Sequence, residues 1–189
     1  MKILIGMTGA SGAAFGVALL RRCPEPADLV VSRWGRTVLR EECGMDLDEL
    51  RPLARRVFAD GDLAAPYASG SEPFDAMVIL PCTTSTLAKI ASGIGDTLIT
   101  RAAAVALKER RRLILGIRET PWSHITVDNA LKVSQAGGII MPVSPPFYTG
   151  ARSVEDLAEV FADRVLALVG IPLPDTARWK PEPEGAGPA

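Results

Sequence analysis

The first twenty residues most constrain what this chain can fold into. An apolar run over Ile3–Met7 ends in the turn TGASG at 8–12, and an Ala-rich helical pattern follows from Ala13. This pattern predicts a strand, a tight turn and a helix start, whose free N–H groups and dipole favour an anion such as phosphate. The turn lacks the three glycines of the dinucleotide fingerprint and the Lys-Ser/Thr ending of a P-loop. A mononucleotide such as FMN therefore fits better, although a turn that binds nothing is the plain alternative.

Strand and helix signals alternate along the rest of the chain. Buried strands are predicted at Ile3–Met7, Leu29–Val31, Ala76–Leu80, Leu113–Ile117 and Gly138–Val143. Amphipathic helices are predicted at Ala13–Arg22, Thr37–Cys43, Thr86–Ala91, Thr97–Arg110, Thr126–Ala136 and Val154–Val169. Such alternation predicts an α/β fold, a mostly parallel sheet covered by helices on both faces. Ligands of such folds bind outside the carboxyl ends of the strands.

Composition excludes several classes of protein. The 189 residues are 48% hydrophobic but only 5% aromatic, which favours an aliphatic core, and a net charge of −1 argues against a general nucleic-acid binder. Three cysteines without metal-site spacing predict no zinc site and indicate a reducing, cytoplasmic location. No signal peptide and no membrane-spanning apolar stretch are evident. The single histidine, His124, excludes a multi-histidine metal site, so no metal is predicted.

The chain reads as one domain followed by a tail. No linker or repeat appears within residues 1–171, whereas residues 172–189 contain five prolines and cannot form a regular helix. Trp179 lies within this tail, and its ring must be buried somewhere. We expect it to pack on a neighbouring subunit.

Two polar clusters follow predicted strands. The segment at 83–86 is a run of hydroxyl side chains: Thr83, Thr84, Ser85 and Thr86. One hydroxyl suffices for a helix cap, worth about 1 kcal/mol, so the run favours contacts to a phosphate and a ribityl chain. Arg118 and Glu119 follow the strand LILGI and are candidates for anion contact and acid–base chemistry. The alternative for this pair is a surface ion pair of little energetic consequence.

Three further residues could hold an anion. Tyr148 offers a phenol donor, Arg164 a guanidinium suited to phosphate, and Lys108 closes the long predicted helix. For Lys108 and Arg164, however, spacing alone favours the alternative that they lie on solvent-exposed helix faces.

These motifs, in this order, resemble the flavin prenyltransferase family. The matching segments are TGASG at 8–12, Ser32, PCTTSTLAKIASG at 81–93, Asp96, Arg101-Ala102, KER at 108–110, RETP at 118–121, GGIIMP at 137–142, PPFY at 145–148 and Arg178-Trp179. The resemblance implies a flavodoxin-like or Rossmann-like three-layer sandwich that assembles as a homo-oligomer, usually a dodecamer, with active sites at subunit interfaces. It also implies transfer of a dimethylallyl group from dimethylallyl monophosphate to N5 and then C6 of reduced FMN, without a metal. The product, prenylated FMN, serves a UbiD-type decarboxylase.

The resemblance also implies roles for individual residues. It implies FMN contacts from Gly9, Ala10, Ser11, Ser32, Thr83, Thr84, Ser85, Thr86 and Arg118. It implies that Lys108, Tyr148 and Arg164 hold the dimethylallyl phosphate, that Trp179 covers the site, and that catalysis uses Glu119 and Lys108 with Glu42 as a second carboxylate.

The chain departs from the family pattern at three places, which bear on the shape of the prenyl pocket. The hydroxyl loop reads TTST where many members have Ser-Met-Gly-Thr, and Trp34 and Trp122 stand where smaller residues are usual. Three alternatives on the same fold stay open: a flavin-dependent cysteine decarboxylase, a flavoprotein reductase, and a non-catalytic FMN-binding subunit of a decarboxylase. The donor, monophosphate or pyrophosphate, is also open.

Overall fold

A six-stranded, wholly parallel sheet forms the centre of the molecule in a computed structural model, which describes residues 1–172. The strands are β1 (Ile3–Met7), β2 (Asp28–Val31), β3 (Arg56–Ala59), β4 (Ala76–Cys82), β5 (Arg112–Ile117) and β6 (Ile139–Pro142). Their order across the sheet is β3-β2-β1-β4-β5-β6. This is the doubly wound order in which ligands bind where the winding direction reverses, here between β1 and β4.

Helices cover both faces, which confirms the predicted three-layer sandwich. They are α1 (Ala13–Arg22), α2 (Arg33–Cys43), α3 (Leu47–Leu50), α4 (Thr84–Ala91), α5 (Leu98–Lys108), α6 (His124–Gln135) and α7 (Val154–Val169). Helices α1, α2 and α7 enclose one aliphatic core, and α4, α5 and α6 enclose the other. Among these helices none combines the length and the apolar composition that a membrane crossing requires.

The central strands are apolar throughout because both of their faces are buried. Ile3 and Ile5 of β1 point into the α1–α7 core, and Leu4 points into the α4–α5 core. Each such side chain contributes about 1.5–3 kcal/mol when it is removed from water. The buried sheet therefore holds the carboxyl ends of β1, β2, β4 and β5 in fixed positions.

Two elements differ from the sequence-based expectation. Strand β3 was not predicted, because it lies at the edge of the sheet and its four residues are exposed or only half-buried, so no apolar run marks it. The short helix α3 was also missed, although Asp46 and Glu49 form a capping box at its start.

Helices α2, α4 and α6 begin earlier than predicted, since each starts directly after a hydroxyl cap. Ser32, Thr83 and Ser123 accept the N–H of Gly35, Thr86 and Thr126, respectively.

Candidate functional site

A polar cleft of about 310 Å³ opens beside the reversal point of the sheet, at the carboxyl ends of β1, β2 and β4. Its size falls at the lower end of the range for small-molecule sites. The lining residues are Thr8, Gly9, Ser32, Arg33, Trp34, Asp60, Thr83, Ser85, Thr86, Lys89, Thr97, Ile99 and Thr100. The structure thus brings Gly9, Ser32 and most of the hydroxyl loop together, as predicted.

The ends of β1 and β4 are tied together beneath this cleft. The Thr8 hydroxyl donates to the carbonyl of Pro81 (2.9 Å) and accepts the N–H of Thr83 (2.9 Å). Gly9 is needed beside it because an added Cβ would lie 2.5 Å from Cβ of Trp34. The indole of Trp34 is 66% exposed and forms one wall of the cleft.

Two helices present unpaired N–H groups at the cleft. A helix leaves its first N–H groups without intrahelical acceptors, and the hydroxyl caps of α2 and α4 satisfy only Gly35 and Thr86. Within residues 1–172 nothing accepts the N–H groups of Arg33 and Trp34 in α2, or of Thr84 and Ser85 in α4, the other first-turn positions. These N–H groups and the nearby hydroxyls are donors that an anion at the cleft can use.

The starts of α1 and α5 are already occupied by acceptors of the chain itself. At α5 the backbone carbonyl of Asp60 accepts the N–H of Leu98 (2.7 Å), and the side-chain Oδ1 of Asp60 accepts the N–H of Ile99 (3.1 Å). At α1 the Oε2 atom of Glu42 accepts the N–H groups of Gly12 (2.7 Å) and Ala13 (2.8 Å).

This arrangement bears on the expectation of a phosphate at the TGASG turn. Partial burial would raise the pKa of Glu42, but hydrogen bonds from Ser11, Ala13 and Gly12 and the charge of Arg118 outweigh it and lower the pKa. A stably ionised carboxylate therefore already occupies two N–H groups at the α1 N-terminus, those of Gly12 and Ala13. Ala10 is buried, so a ligand can contact only its backbone.

A second polar group lies next to the turn, after β5. Cγ of Arg118 would be 3.8 Å from a Cβ added at Gly12, which places this side chain close to the TGASG turn. Glu119 is exposed, and its Oε1 accepts the N–H of Thr120 (3.0 Å). Thus Arg118 lies close to the TGASG turn and acts electrostatically on Glu42, and Glu119 follows it directly in the chain.

One chain does not bring Lys108 and Arg164 together. Lys108 ends α5 at the amino edge of the sheet, where it pairs with Glu109 beside Gly70. Residues of β5 cover about 20 Å between that edge and Glu119. Arg164 is exposed on α7, which packs on the opposite face of the sheet from α5. The predicted convergence with Tyr148, exposed after β6, would thus need residues from more than one copy. Trp179 lies outside the described residues.

Sequence reasoning missed part of the cleft. Asp60 follows the unrecognised strand β3, so the rule that placed the other candidates at strand ends would have found it had β3 been seen. Lys89 pairs with Asp96 (2.7 Å) at the rim, and no motif signals that it faces the cleft. His124 begins α6 and pairs only with Asp128 within the described residues.

Known proteins match this chain along nearly its whole length. The flavoprotein family model matches residues 1–166. Flavin prenyltransferase UbiX of Thermoplasma acidophilum is 44% identical over 180 residues, which cover 95% of this chain and 100% of the relative. The chain belongs to the flavin prenyltransferase family. The resemblance inferred from its motifs is thereby confirmed.

Two solved structures of this family have the same fold. UbiX (PadA1) in complex with FMN and dimethylallyl pyrophosphate is 42% identical, with a TM-score of 0.90 and coverage of 95% of this chain and 97% of that one. A dodecameric FMN-dependent UbiX-like decarboxylase from Escherichia coli O157:H7 is 38% identical, with a TM-score of 0.90 and coverage of 96% and 100%. Residues 1–172 of this chain hold no cluster of side chains suited to a metal ion.

Proposed function

We propose that this chain is a flavin prenyltransferase that uses reduced FMN as prenyl acceptor and a dimethylallyl phosphate as donor. The observation that carries the proposal is membership of this family over the full domain, together with an anion-binding cleft at the reversal point of the sheet. The residues fit FMN, because unpaired N–H groups and hydroxyls face a cleft of suitable size.

The FMN phosphate is assigned to the starts of α2 and α4. There Ser32, Thr83 and Ser85 supply hydroxyls beside the free N–H groups of both helices. The carboxyl ends of β2 and β5 lie three interstrand spacings apart, about 14 Å. A flavin whose phosphate lies at α2 and α4 can therefore extend past Gly9 toward Arg118 and Glu119.

The donor phosphate is assigned to Lys108, Tyr148 and Arg164 of different copies in a homo-oligomer. Their separation within one chain favours sites at subunit interfaces, with Trp179 as a further contact from the tail. A dodecamer is the proposed assembly, as in the Escherichia coli relative. Cations on the leaving phosphate lower the barrier to its departure.

Glu119 is assigned to proton transfer. In the first step a bond forms between N5 and the terminal carbon of the prenyl group, the bond from that carbon to the phosphate oxygen breaks, and the released phosphate can take the proton that N5 loses. Ring closure then joins the prenyl alkene to C6, so the alkene gains a proton and C6 loses one. A carboxylate that exchanges a proton with the released phosphate serves both needs. Glu42 stays ionised at α1, where the charge of Arg118 favours its ionised form.

Mass spectrometry of the flavin tests the proposal directly. Purified protein is incubated anaerobically with reduced FMN and, in separate reactions, dimethylallyl monophosphate or pyrophosphate. A flavin heavier by one prenyl group supports the proposal, and the more productive donor identifies the substrate. Unchanged FMN with both donors would refute it.

Parallel assays with the substrates of the alternatives separate them from the proposed function. A cysteine decarboxylase would consume a cysteine-terminated peptide, a reductase would oxidise a reduced nicotinamide, and a non-catalytic subunit would bind FMN unchanged. An exposed Glu119 next to Arg118 favours transfer over mere binding, since FMN binding requires no carboxylate that exchanges protons. The proposal includes delivery of prenylated FMN to a UbiD-type decarboxylase. It also includes a cytoplasmic location, which the free cysteines favour.

Subunit complementation tests the shared site. Lys108→Ala and Arg164→Ala chains should each be nearly inactive as homo-oligomers. Co-expressed, they should recover part of the activity, because mixed oligomers contain sites in which both residues are intact. Mixed oligomers that stay as inactive as the parents would place both residues in the site of one chain.

A further inference from the structure

Trp122 makes a specific hydrogen bond next to the proposed acid–base residue. Its indole Nε1 donates to the backbone carbonyl of Glu119 at 2.9 Å. The ring itself is half-buried against the core that α4, α5 and α6 enclose, here called the α4–α6 core. The indole therefore connects the packed interior of the molecule to the peptide that carries Glu119.

The segment that carries Glu119 has few other anchors within the described residues. Before it, the N–H of Arg118 bonds weakly to the carbonyl of Cys82 at 3.4 Å. After it, the next fixed point is the Ser123 cap of α6. Between them the carboxylate of Glu119 bonds only to the neighbouring N–H of Thr120, a contact that moves with the loop.

We propose that Trp122 is a positioning residue that fixes the Glu119 peptide, and through it the carboxylate, for proton transfer. The inference rests on the proposed function, because it presumes that Glu119 moves protons during prenyl transfer. Its physical basis is that the ring is held by packing on the α4–α6 core, so its N–H points in one direction. An exposed carboxylate without this anchor samples several positions, and misplacement by 1 Å can cost up to about 10²-fold in rate.

The variant Trp122→Phe removes the N–H donor and keeps an aromatic ring in the same packing. We expect the single-turnover rate of prenylation to fall by roughly 10-fold, within the range expected for misplaced groups, with unchanged affinity for FMN and for the donor. Benzothienylalanine at position 122, which replaces only the N–H by sulfur, should give the same loss. Wild-type rates in both variants would overturn the proposal.

Ser123→Ala is the matched control. It removes the cap of α6 but leaves the contact between Trp122 and Glu119 in place. If loosening of α6 alone slowed the reaction, this variant would be as slow as Trp122→Phe, and the positioning role would be refuted. We expect it to react at the wild-type rate.

A double-mutant cycle distinguishes positioning from packing. If Trp122 acts through Glu119, then Trp122→Phe should slow the wild-type enzyme but not the Glu119→Gln enzyme. An equal slowing in both backgrounds would show that Trp122 acts independently of Glu119. Absence of prenylated flavin in the wild-type reaction would instead refute the proposed function, so the two failures are distinguishable.

Discussion

The two edges of the sheet are both rich in polar residues, but they differ in whether those residues are satisfied. At the amino edge Asp28 is fully buried and accepts from Arg55 (2.9 and 2.8 Å), Arg56 (2.7 Å) and the Tyr67 hydroxyl. At the carboxyl edge Ser85, Arg118 and Glu119 are exposed, and the first N–H groups of α2 and α4 lack acceptors within residues 1–172.

Whether polar residues have protein partners therefore distinguishes structural from functional residues better than polarity alone does. A buried charge is tolerated only when its partners satisfy it, and such a network leaves nothing for a ligand. Unsatisfied donors persist where water or a ligand takes the place of a protein partner. Glu42 and Asp60 show the intermediate case, because they close the starts of α1 and α5 and leave those of α2 and α4 open.

The largest effect should come from the carboxyl edge. Glu119→Gln keeps the shape of the side chain but cannot carry the proton, so prenylation should slow by about 10²-fold or more, the usual contribution of acid–base catalysis. Flavin affinity and thermal stability should not change. Single-turnover kinetics with reduced FMN, followed by product mass, checks this, and a flavin joined only at N5 would accumulate if ring closure is affected most.

A wild-type rate in Glu119→Gln would remove this residue from the mechanism. The released phosphate would then be the remaining base, and the contrast between the edges would hold for binding only.

Asp28→Asn should have the opposite effect to Glu119→Gln. It should lower the stability of the fold and leave the rate of prenylation unchanged. It leaves two guanidinium groups with one weaker acceptor, which should lower the free energy of unfolding by about 2–3 kcal/mol. The cost stays below that of a fully buried pair because Arg55 and Arg56 are each 44% exposed and regain water. Urea denaturation measures it, and Tyr67→Phe, which removes one neutral donor, is the milder matched variant. A slower prenylation at unchanged stability would contradict the structural assignment.

Acid should remove the stabilisation that Asp28 gives to the amino edge. Burial would raise the pKa of Asp28, but hydrogen bonds from Arg55, Arg56 and Tyr67 outweigh it and lower the pKa from 3.8 to about 2. The stabilisation is therefore complete above about pH 4 and is lost as the pH falls toward 2, by up to roughly 2 kcal/mol. Unfolding free energies measured between pH 5 and 2 should show this loss in the wild type and not in Asp28→Asn.

The sequence alone predicted the architecture well because apolar runs mark strands that are buried on both faces. β1, α1 and α7 have the predicted bounds, and the predicted cleft residues Gly9, Ser32 and Thr83 lie together because parallel strands end at one edge. Strand β3 escaped detection because an exposed edge strand carries no apolar run.

Contacts between distant residues could not be predicted in this way. Nothing in the local sequence places Glu42 of α2 on the N-terminus of α1, thirty residues earlier. The position of Lys108 at the amino edge follows from the length and direction of α5, which spacing within a motif does not reveal.

The smallest effect, and the one that tests the assignment of the FMN phosphate, should come from Glu42→Gln. The amide oxygen still accepts the N–H groups of Gly12 and Ala13 but loses the charge that favours a helix N-terminus, a change of about 0.3–1 kcal/mol in stability. If the phosphate lies at α2 and α4, the affinity for FMN should stay unchanged, whereas Ser32→Ala should weaken FMN more than riboflavin, which lacks the phosphate. If the phosphate instead displaces Glu42 from α1, removing the competing charge should tighten FMN binding and leave riboflavin unaffected. Fluorescence titration of both flavins against wild type, Glu42→Gln and Ser32→Ala therefore decides which helix starts at the carboxyl edge remain open for a ligand.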